Sequence, residues 1–202
     1  MRTICLYFEI HQIIHLKRYR FFDIGTDHYY YDDYANETSI SDVAEHSYIP
    51  ALTTLLEMVK NSGGAFKVAF SISGVALEQL EIYAPTVLDL LHQLNDTGCC
   101  EFLAEPYSHG LSSLANEDCF KEEVMRQSNK MKQMFGKTPK VFRNSSLIYN
   151  DEIGAVVASM GFKGMLTEGA KHVLGWKSPH CVYHCNMNPN LKLLLRDFKL
   201  FD

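Results

Sequence analysis

The chain has 202 residues, of which 47% are hydrophobic and 21% charged, and its formal net charge is −5. This composition predicts a soluble globular protein, and we treat residues 1–202 as a single α/β domain. An acidic balance without a basic run argues against nucleic acid as a partner. No apolar run approaches the ~20 residues of a membrane helix, and the N-terminus does not resemble a signal peptide, so no membrane association and a cytoplasmic location are expected.

Apolar runs predict the strands. The first run, Thr3–Ile10, predicts a central strand buried on both faces. The later runs predict strands at Phe66–Ser73, Cys99–Ala104, Lys140–Arg143 and Phe162–Leu166, with shorter ones at Val182–Cys185 and Leu191–Leu195.

Helical periodicity separates these strands, over residues 41–60, 75–94, 117–135 and 151–160. Ser41 is the expected cap of the first helix. Pro50 and Pro85 are expected to kink or break the first two helices, and Gly136 to end the third. Residues 13–37 are predicted as a long loop.

Strand–helix alternation predicts a parallel sheet with helices outside it. The first five predicted strands end in polar or charged residues, namely Glu9 with His11, Ser73, Glu105 with His109, Arg143 with Asn144, and Glu168. These ends meet on one face if the sheet curls as a barrel. A Rossmann sheet is the alternative, but no glycine-rich phosphate turn follows the first strand.

The loop at residues 13–37 combines aromatic rings with carboxylates, a composition that suits a sugar. In the alternative, Phe21, Phe22 and Tyr30 simply pack the loop on the barrel rim. The run His180–Cys185 looks like a metal cluster, but in a strand its two cysteines and its two histidines point to opposite faces. Neither a metal nor another cofactor is therefore expected.

Five segments resemble motifs of glycoside hydrolase family 57, in its α-amylase and α-amylase-like branch. The segments are Cys5–Gln12, Gly98–Glu105 with Tyr107 and His109, Phe142–Tyr149, Gly164–Ala170 and Leu174–Pro179. The resemblance covers nearly the whole chain, and the motifs occur in the family's order.

This resemblance implies an incomplete parallel (β/α)7 barrel that acts on α-glucans such as starch, glycogen or maltodextrin. Residues 1–202 would be the N-terminal part of the catalytic barrel, truncated to about five βα units plus short strands. Its first and last strands would be exposed edges, through which copies could self-associate. The implied mechanism is retaining and needs two carboxylic residues about 5–5.5 Å apart.

The chain departs from the family pattern at the catalytic positions. Ser146 occupies the position of the family's glutamate nucleophile, and a serine hydroxyl without a base beside it should not attack a glycosidic carbon. The sequence ends before the motif that carries the general acid. Ile13 replaces a proline, which is a mild change. The protein is therefore expected to be inactive as it stands.

The remaining polar residues are expected to bind substrate: His11, Glu9, Glu101, Glu105, His109, Arg143, Glu168 and Trp176. Glu101 lies within an apolar strand and is expected to need a partner, because an unpaired buried charge is costly. One of Glu101 and Glu105 would alternatively form a structural ion pair with Arg143. Trp176 would alternatively be a core residue, and Glu168 is a remote candidate to replace the nucleophile.

Three other functions stay open at this point. Sequence beyond residue 202 could complete an active glucan hydrolase or transferase. The chain could be a non-enzymatic interaction protein on a degenerate barrel. It could be a metal-dependent deacetylase of similar architecture, whose ligands would come from His11, His15, Asp23, Asp27 and His28; the irregular spacing of these residues disfavours that reading.

Overall fold

A computed structural model describes residues 3–26, 28–197 and 199. Contacts divide the chain into two compact units. The first unit contains Ile10–Val68 and Val75–Cys100. The second contains Tyr7–Glu9, Ala69–Gly74 and Glu101–Asp202, and it holds most of the strand residues.

The first unit is mainly helical. Its helices are α1 (Asp33–Val43), α2 (Ile49–Asn61), α3 (Gly74–Tyr83) and α4 (Pro85–Asp96), and a π-helical turn at Ala44–Tyr48 joins α1 to α2. The prediction that Ser41 begins the first helix is wrong. Asp32 caps α1 instead, because its carboxylate accepts the Ala35 N–H at 3.0 Å.

Both prolines interrupt their helices as expected. Pro85 is the first residue of α4, and Pro50 is the second residue of α2, directly after the π-helical turn. Proline is tolerated in a first helical turn because the N–H it lacks has no partner there. Helix α2 packs against α4 through a buried stripe on each. The stripes consist of Leu52, Leu55, Leu56 and Val59 on α2, and Val87, Leu88, Leu91 and Leu94 on α4.

The described residues form two sheets, whose strands match the seven predicted runs. Strands β1 (Tyr7–Ile10), β2 (Val68–Ile72) and β3 (Cys100–Leu103) lie in the order β1-β2-β3. Strands β4 (Val141–Arg143), β5 (Gly164–Thr167), β6 (Tyr183–His184) and β7 (Lys192–Leu195) lie in the order β4-β5-β7-β6. A parallel bridge between Ala104 and Phe142 connects the two sheets.

The second sheet is parallel except at its edge. Strand β5 pairs in parallel with β4 and with β7, placing Met165 beside Phe142 and Leu193. Strand β6 pairs antiparallel with β7, so the all-parallel prediction is wrong there. The connection from β6 to β7 is a short loop, whereas a parallel crossover needs a dozen or more residues.

Strand β1 differs most from its prediction. It begins at Tyr7 rather than Thr3, and it lies at the edge of its sheet. The side chains of Ile4, Leu6 and Phe8 are 73%, 44% and 39% exposed, so the expectation of a strand buried on both faces is wrong. Phe8 still packs on Phe70, with 5.9 Å between ring centroids.

The core of the second unit lies between its sheet and helices α6 (Glu117–Phe135) and α7 (Asp151–Ser159). The edge-to-face pair of Phe120 and Phe142 lies in this core. The predicted bounds of α6 are confirmed: Asn116 caps its start by accepting the Cys119 N–H at 2.9 Å, and Gly136 ends it with φ 72°. Two short helices, α5 (Ser112–Ala115) and α8 (Lys171–Leu174), lie in loops.

Gln127 of α6 fixes the ends of two strands. Its side chain is fully buried, and its Nε2 donates to the carbonyl of Ile72 at 2.9 Å and to that of Leu103 at 3.3 Å. These are the last residues of β2 and β3. A buried amide thus holds together the strand ends from which the polar site extends.

Gly74, the first residue of α3, is required by its neighbour Tyr107. A Cβ added at Gly74 would overlap the buried Tyr107 ring. This ring also contacts Arg126, whose guanidinium carbon lies 3.8 Å from the ring centroid. We expect Gly74→Ala to lower the free energy of unfolding by about 1–3 kcal/mol, the usual cost of overpacking. Urea denaturation followed by circular dichroism measures this loss.

Gly110→Ala is the matched control, because a Cβ at Gly110 meets nothing within 4 Å. Its free energy of unfolding should stay close to that of the wild type. Equal losses in the two variants would contradict the packing role assigned to Gly74.

Candidate functional site

Two carboxylates, a guanidinium and an imidazole of the second unit form a closed ring, which we call the ion ring. It consists of Glu9 in β1, Glu105 just after β3, His109, and Arg143 at the end of β4. Arg143 Nη2 lies 2.6 Å from Glu9 Oε2, and His109 Nε2 lies 3.2 Å from Glu9 Oε1. His109 Nδ1 lies 3.3 Å from Glu105 Oε1, and Arg143 Nη1 lies 3.9 Å from Glu105 Oε2.

Burial in the ion ring is graded. The Glu105 side chain is fully buried and that of Arg143 is 5% exposed, whereas His109 is 16% and Glu9 34% exposed. The buried carboxylate of Glu105 receives a further hydrogen bond from the Ser71 hydroxyl of β2. Because an uncompensated buried charge is costly, these partners are what allow Glu105 to sit there. Glu9 and His109 form the accessible side of the ring.

His109 has an acceptor at each ring nitrogen. Both nitrogens donate at once only in the imidazolium form, in which the ion ring holds two positive and two negative charges. The residue has φ 54°, a left-handed conformation that is uncommon outside glycine. Arg143 is not saturated: its Nε and Nη1 atoms are buried without a hydrogen bond in the described part of the chain.

The turn after β4 carries Ser146. Buried Asn144 holds this turn: its Oδ1 accepts the Ser145 N–H at 3.0 Å, and its Nδ2 donates to Ser113 Oγ at 2.9 Å and to the Ile148 carbonyl at 3.0 Å. Ser146 itself is exposed, has φ 52°, and makes no hydrogen bond to another described residue. No base therefore contacts its hydroxyl among the described residues.

Two predicted carboxylates lie outside the ion ring. Glu101 is exposed in β3, so the expectation that it is buried and must find a partner is wrong. Strand alternation turns Glu101 away from the core that its neighbours Cys100 and Phe102 enter. Glu168 pairs with Arg196, with 2.9 Å between Oε2 and Nε. The role of Glu168 as a replacement for the nucleophile stays a prediction.

His11 and Trp176 complete the predicted set. His11 is half-buried and follows β1, within the first compact unit. Trp176 is 93% exposed in the loop after α8, so its reading as a core residue is wrong. Its role in binding substrate stays a prediction.

Site roles for Ser71 and Asn144 are not among the sequence-based predictions. Both are fully buried polar residues that hold the site, one through Glu105 and the other through the turn at Ser146. The available signal was a serine between Phe70 and Ile72 in an otherwise apolar strand. A buried hydroxyl needs a hydrogen-bond partner, so its position indicated a polar neighbour.

The aromatic segment of the first unit is mostly solvent-exposed. Phe21 and Phe22 are 82% and 86% exposed, so packing by these two rings, the alternative reading of this loop, is wrong. A groove of about 370 Å³ lies beside Lys17 and Tyr30. A hydrogen bond to Asp33 raises the pKa of Tyr29 to about 12, which keeps its hydroxyl neutral at pH 7.

The sequence profile of glycosyl hydrolase family 57 matches residues 5–202, and the chain belongs to this family. A relative from Methanocaldococcus jannaschii, described as "Putative alpha-amylase", is 40% identical over 175 residues, which cover 86% of this chain and 36% of the relative. The chain therefore spans about a third of the curated relative it matches.

Solved structures share the fold. A 4-alpha-glucanotransferase from Thermococcus litoralis superposes with a TM-score of 0.69 at 17% identity, covering 98% of this chain and 28% of the other. A "putative polysaccharide deacetylase" from Mycobacterium smegmatis superposes with a TM-score of 0.56 at 14% identity, covering 82% and 57%. At these identities the likeness concerns the fold alone.

Two further observations bear on function. Among the described residues, no three histidine, cysteine or carboxylate side chains are arranged to hold a metal ion. Of the suggested deacetylase ligands, Asp27 lies outside the described residues. Within the part of the chain that the structure describes, no helix is both long and apolar enough to span a bilayer.

Removing Arg143 should unbalance the ion ring. We expect Arg143→Ala to lower the free energy of unfolding by about 3–5 kcal/mol, because it leaves the buried Glu105 without its guanidinium partner. Urea denaturation at pH 7 measures the loss. The double variant Glu105→Gln, Arg143→Met should recover part of it, because no buried charge then remains unpaired there.

The matched control is Lys121→Ala on α6, which breaks an exposed ion pair with Glu117 whose Nζ–Oε1 distance is also 2.6 Å. Water and salt screen that pair, so the free energy of unfolding of Lys121→Ala should be close to that of the wild type. If Arg143→Ala were as mild as Lys121→Ala, the ion ring would have no structural role.

Proposed function

We propose that this chain is an α-amylase-like member of glycosyl hydrolase family 57 that binds α-glucans without hydrolysing them. The substrate class follows the relatives that the chain resembles, and the absence of hydrolysis follows its own residues. The observation that carries the proposal is the contrast at the end of β4. Arg143 belongs to a complete ion ring, whereas the hydroxyl of Ser146 in the turn after β4 has no hydrogen-bonded base among the described residues.

The ion ring supports binding through its accessible side. Glu9 has a third of its side chain exposed, and its carboxylate oxygens keep acceptor capacity for sugar hydroxyls, while His109 beside it holds that carboxylate through Nε2. Arg143 and Glu105 behind them fix the orientation of both groups. A binding site held in place by buried partners loses little entropy when a ligand arrives.

The turn at Ser146 supports the absence of hydrolysis. A retaining mechanism needs a carboxylate that attacks the anomeric carbon and a second carboxyl group that protonates the leaving oxygen. In the part of the chain that the structure describes, no neighbouring base activates the hydroxyl of Ser146. Glu105 is fully buried and already engaged by Ser71, His109 and Arg143, so it is not free to take either role.

Calorimetric titration with maltoheptaose, run beside a reducing-sugar assay, tests the proposal. We expect heat of binding and no release of reducing ends. Release would support an active hydrolase or transferase instead, and the absence of both signals would support a non-enzymatic interaction protein.

The variant Glu9→Gln tests the ion ring as the binding element. It should weaken maltoheptaose binding about tenfold, because hydrogen bonds to a charged acceptor are worth about 1.5–3 kcal/mol. Glu122→Gln on the exposed surface of α6 removes the same charge and should bind like the wild type. Circular dichroism confirms that both variants are folded. Unchanged affinity in Glu9→Gln would place the glucan elsewhere.

A further inference from the structure

A basic cavity lies in the second unit, apart from the residues of the ion ring. Its volume is about 460 Å³, within the ~300–1,000 Å³ range of small-molecule pockets. We call it the lysine pocket, because Lys171, Lys177 and Lys199 line it together with His180 and a single carboxylate, Asp197. Three ammonium groups around one cavity stand out in a chain of net charge −5.

The acid in the lysine pocket is already engaged. Asp197 Oδ2 lies 2.6 Å from His180 Nε2, and Asp197 Oδ1 accepts the backbone N–H of Lys199 at 3.0 Å. The neighbouring carboxylate Glu168 is paired with Arg196. Among the described residues that line the cavity, an entering anion therefore meets no unpaired carboxylate.

The loop that presents these groups is held by its own hydrogen bonds. The Tyr183 hydroxyl donates to the Ser178 carbonyl at 2.7 Å, and the His180 N–H donates to Ser178 Oγ at 3.1 Å. The backbone N–H of Lys177 donates to the Leu174 carbonyl at 3.0 Å, which closes the turn after α8. The cavity is thus formed before any ligand binds.

A solvent-exposed tryptophan stands in the loop that lines the cavity. Trp176 is 93% exposed, and both of its sequence neighbours, Gly175 and Lys177, line the lysine pocket. An indole ring with one face in water is the side chain that stacks best on the apolar face of a sugar ring. Lysine ammonium groups bind phosphate oxygens as point charges.

We propose that the lysine pocket binds the phosphate group of a phosphorylated sugar, with Lys177 and Lys199 contacting the phosphate and Trp176 covering the sugar ring. The proposal that phosphate binds here depends only on the residues that line the cavity. The proposal that the ligand is a sugar depends on the proposed carbohydrate function. The phosphorylated unit comes either from a free sugar phosphate or from a phosphorylated glucan, which share the same monoester chemistry.

Calorimetry on the full chain tests the site with four probes: orthophosphate, glucose 6-phosphate, phosphorylated maltodextrin and glucose. We expect the phosphorylated sugars to bind more tightly than orthophosphate, and glucose to bind at least tenfold more weakly than glucose 6-phosphate. Added salt should weaken binding of the anions, because exposed charges are screened. Trp176 is the chain's single tryptophan, so intrinsic fluorescence reports the same titrations at this position.

The double variant Lys177→Gln, Lys199→Gln should weaken glucose 6-phosphate at least tenfold, and both positions are exposed, so the fold should be unaffected. The control Lys132→Gln, Lys140→Gln removes the same charge from exposed positions elsewhere and should bind like the wild type.

The lysine pocket is not the phosphate site if the two double variants lose the same affinity for glucose 6-phosphate. It is also not the site if neither orthophosphate nor glucose 6-phosphate binds. Glucose binding as tightly as glucose 6-phosphate overturns the role of the phosphate. Tighter binding of phosphorylated maltodextrin than of glucose 6-phosphate identifies a glucan as the source, and the reverse identifies a free sugar phosphate. A failure of maltoheptaose to bind leaves the orthophosphate titration intact, so the two proposals fail separately.

Discussion

The second unit depends on a carboxylate that has no contact with water. Glu105 follows β3 with its side chain fully buried, and a charge in that position must be compensated by nearby partners. The partners come from different elements: Ser71 from β2, Arg143 from β4, and His109 from the same loop as Glu105. Glu9 of β1 closes the ring through Arg143 and His109. The need to neutralise one buried group thus draws the ends of four strands together.

That constraint acts on the residues of the ion ring and does not act on Ser146. The ion ring is a structural requirement of the fold, because Glu105 and Arg143 are both buried and removing either one leaves the other short of a charged partner. Ser146 carries no such requirement, since its side chain is exposed and makes no hydrogen bond in the described part of the chain. A catalytic side chain at that position can disappear while the architecture around it persists. The backbone there still has the left-handed conformation of Ser146 and Leu147, held by the buried amide of Asn144.

The differences between prediction and structure have a common physical origin. Thr3–Ile10 is apolar apart from Thr3 and Glu9, which is typical of a central strand, but its position at a sheet edge leaves Phe8 partly exposed. Glu101 looks buried in sequence, yet strand alternation turns it outward. Trp176 resembles a core residue by type but lies in a solvated loop. Burial depends on which element packs on a residue, and neighbours in sequence do not determine that.

The sequence by itself determined the strand and helix order, the breaks at Pro50 and Pro85, the family, and the polar identity of the strand ends. Each of these is a local property, because periodicity, capping and motif spacing depend on residues that are close together in the sequence. Only the tertiary structure decided that Glu9, Glu105, His109 and Arg143 meet in one ring while Glu101 and Glu168 do not. It also decided that β6 runs antiparallel and that three lysines surround one cavity. Glu9 and Arg143 are 134 positions apart in the chain, and contacts over such separations follow from how the strands pack side by side.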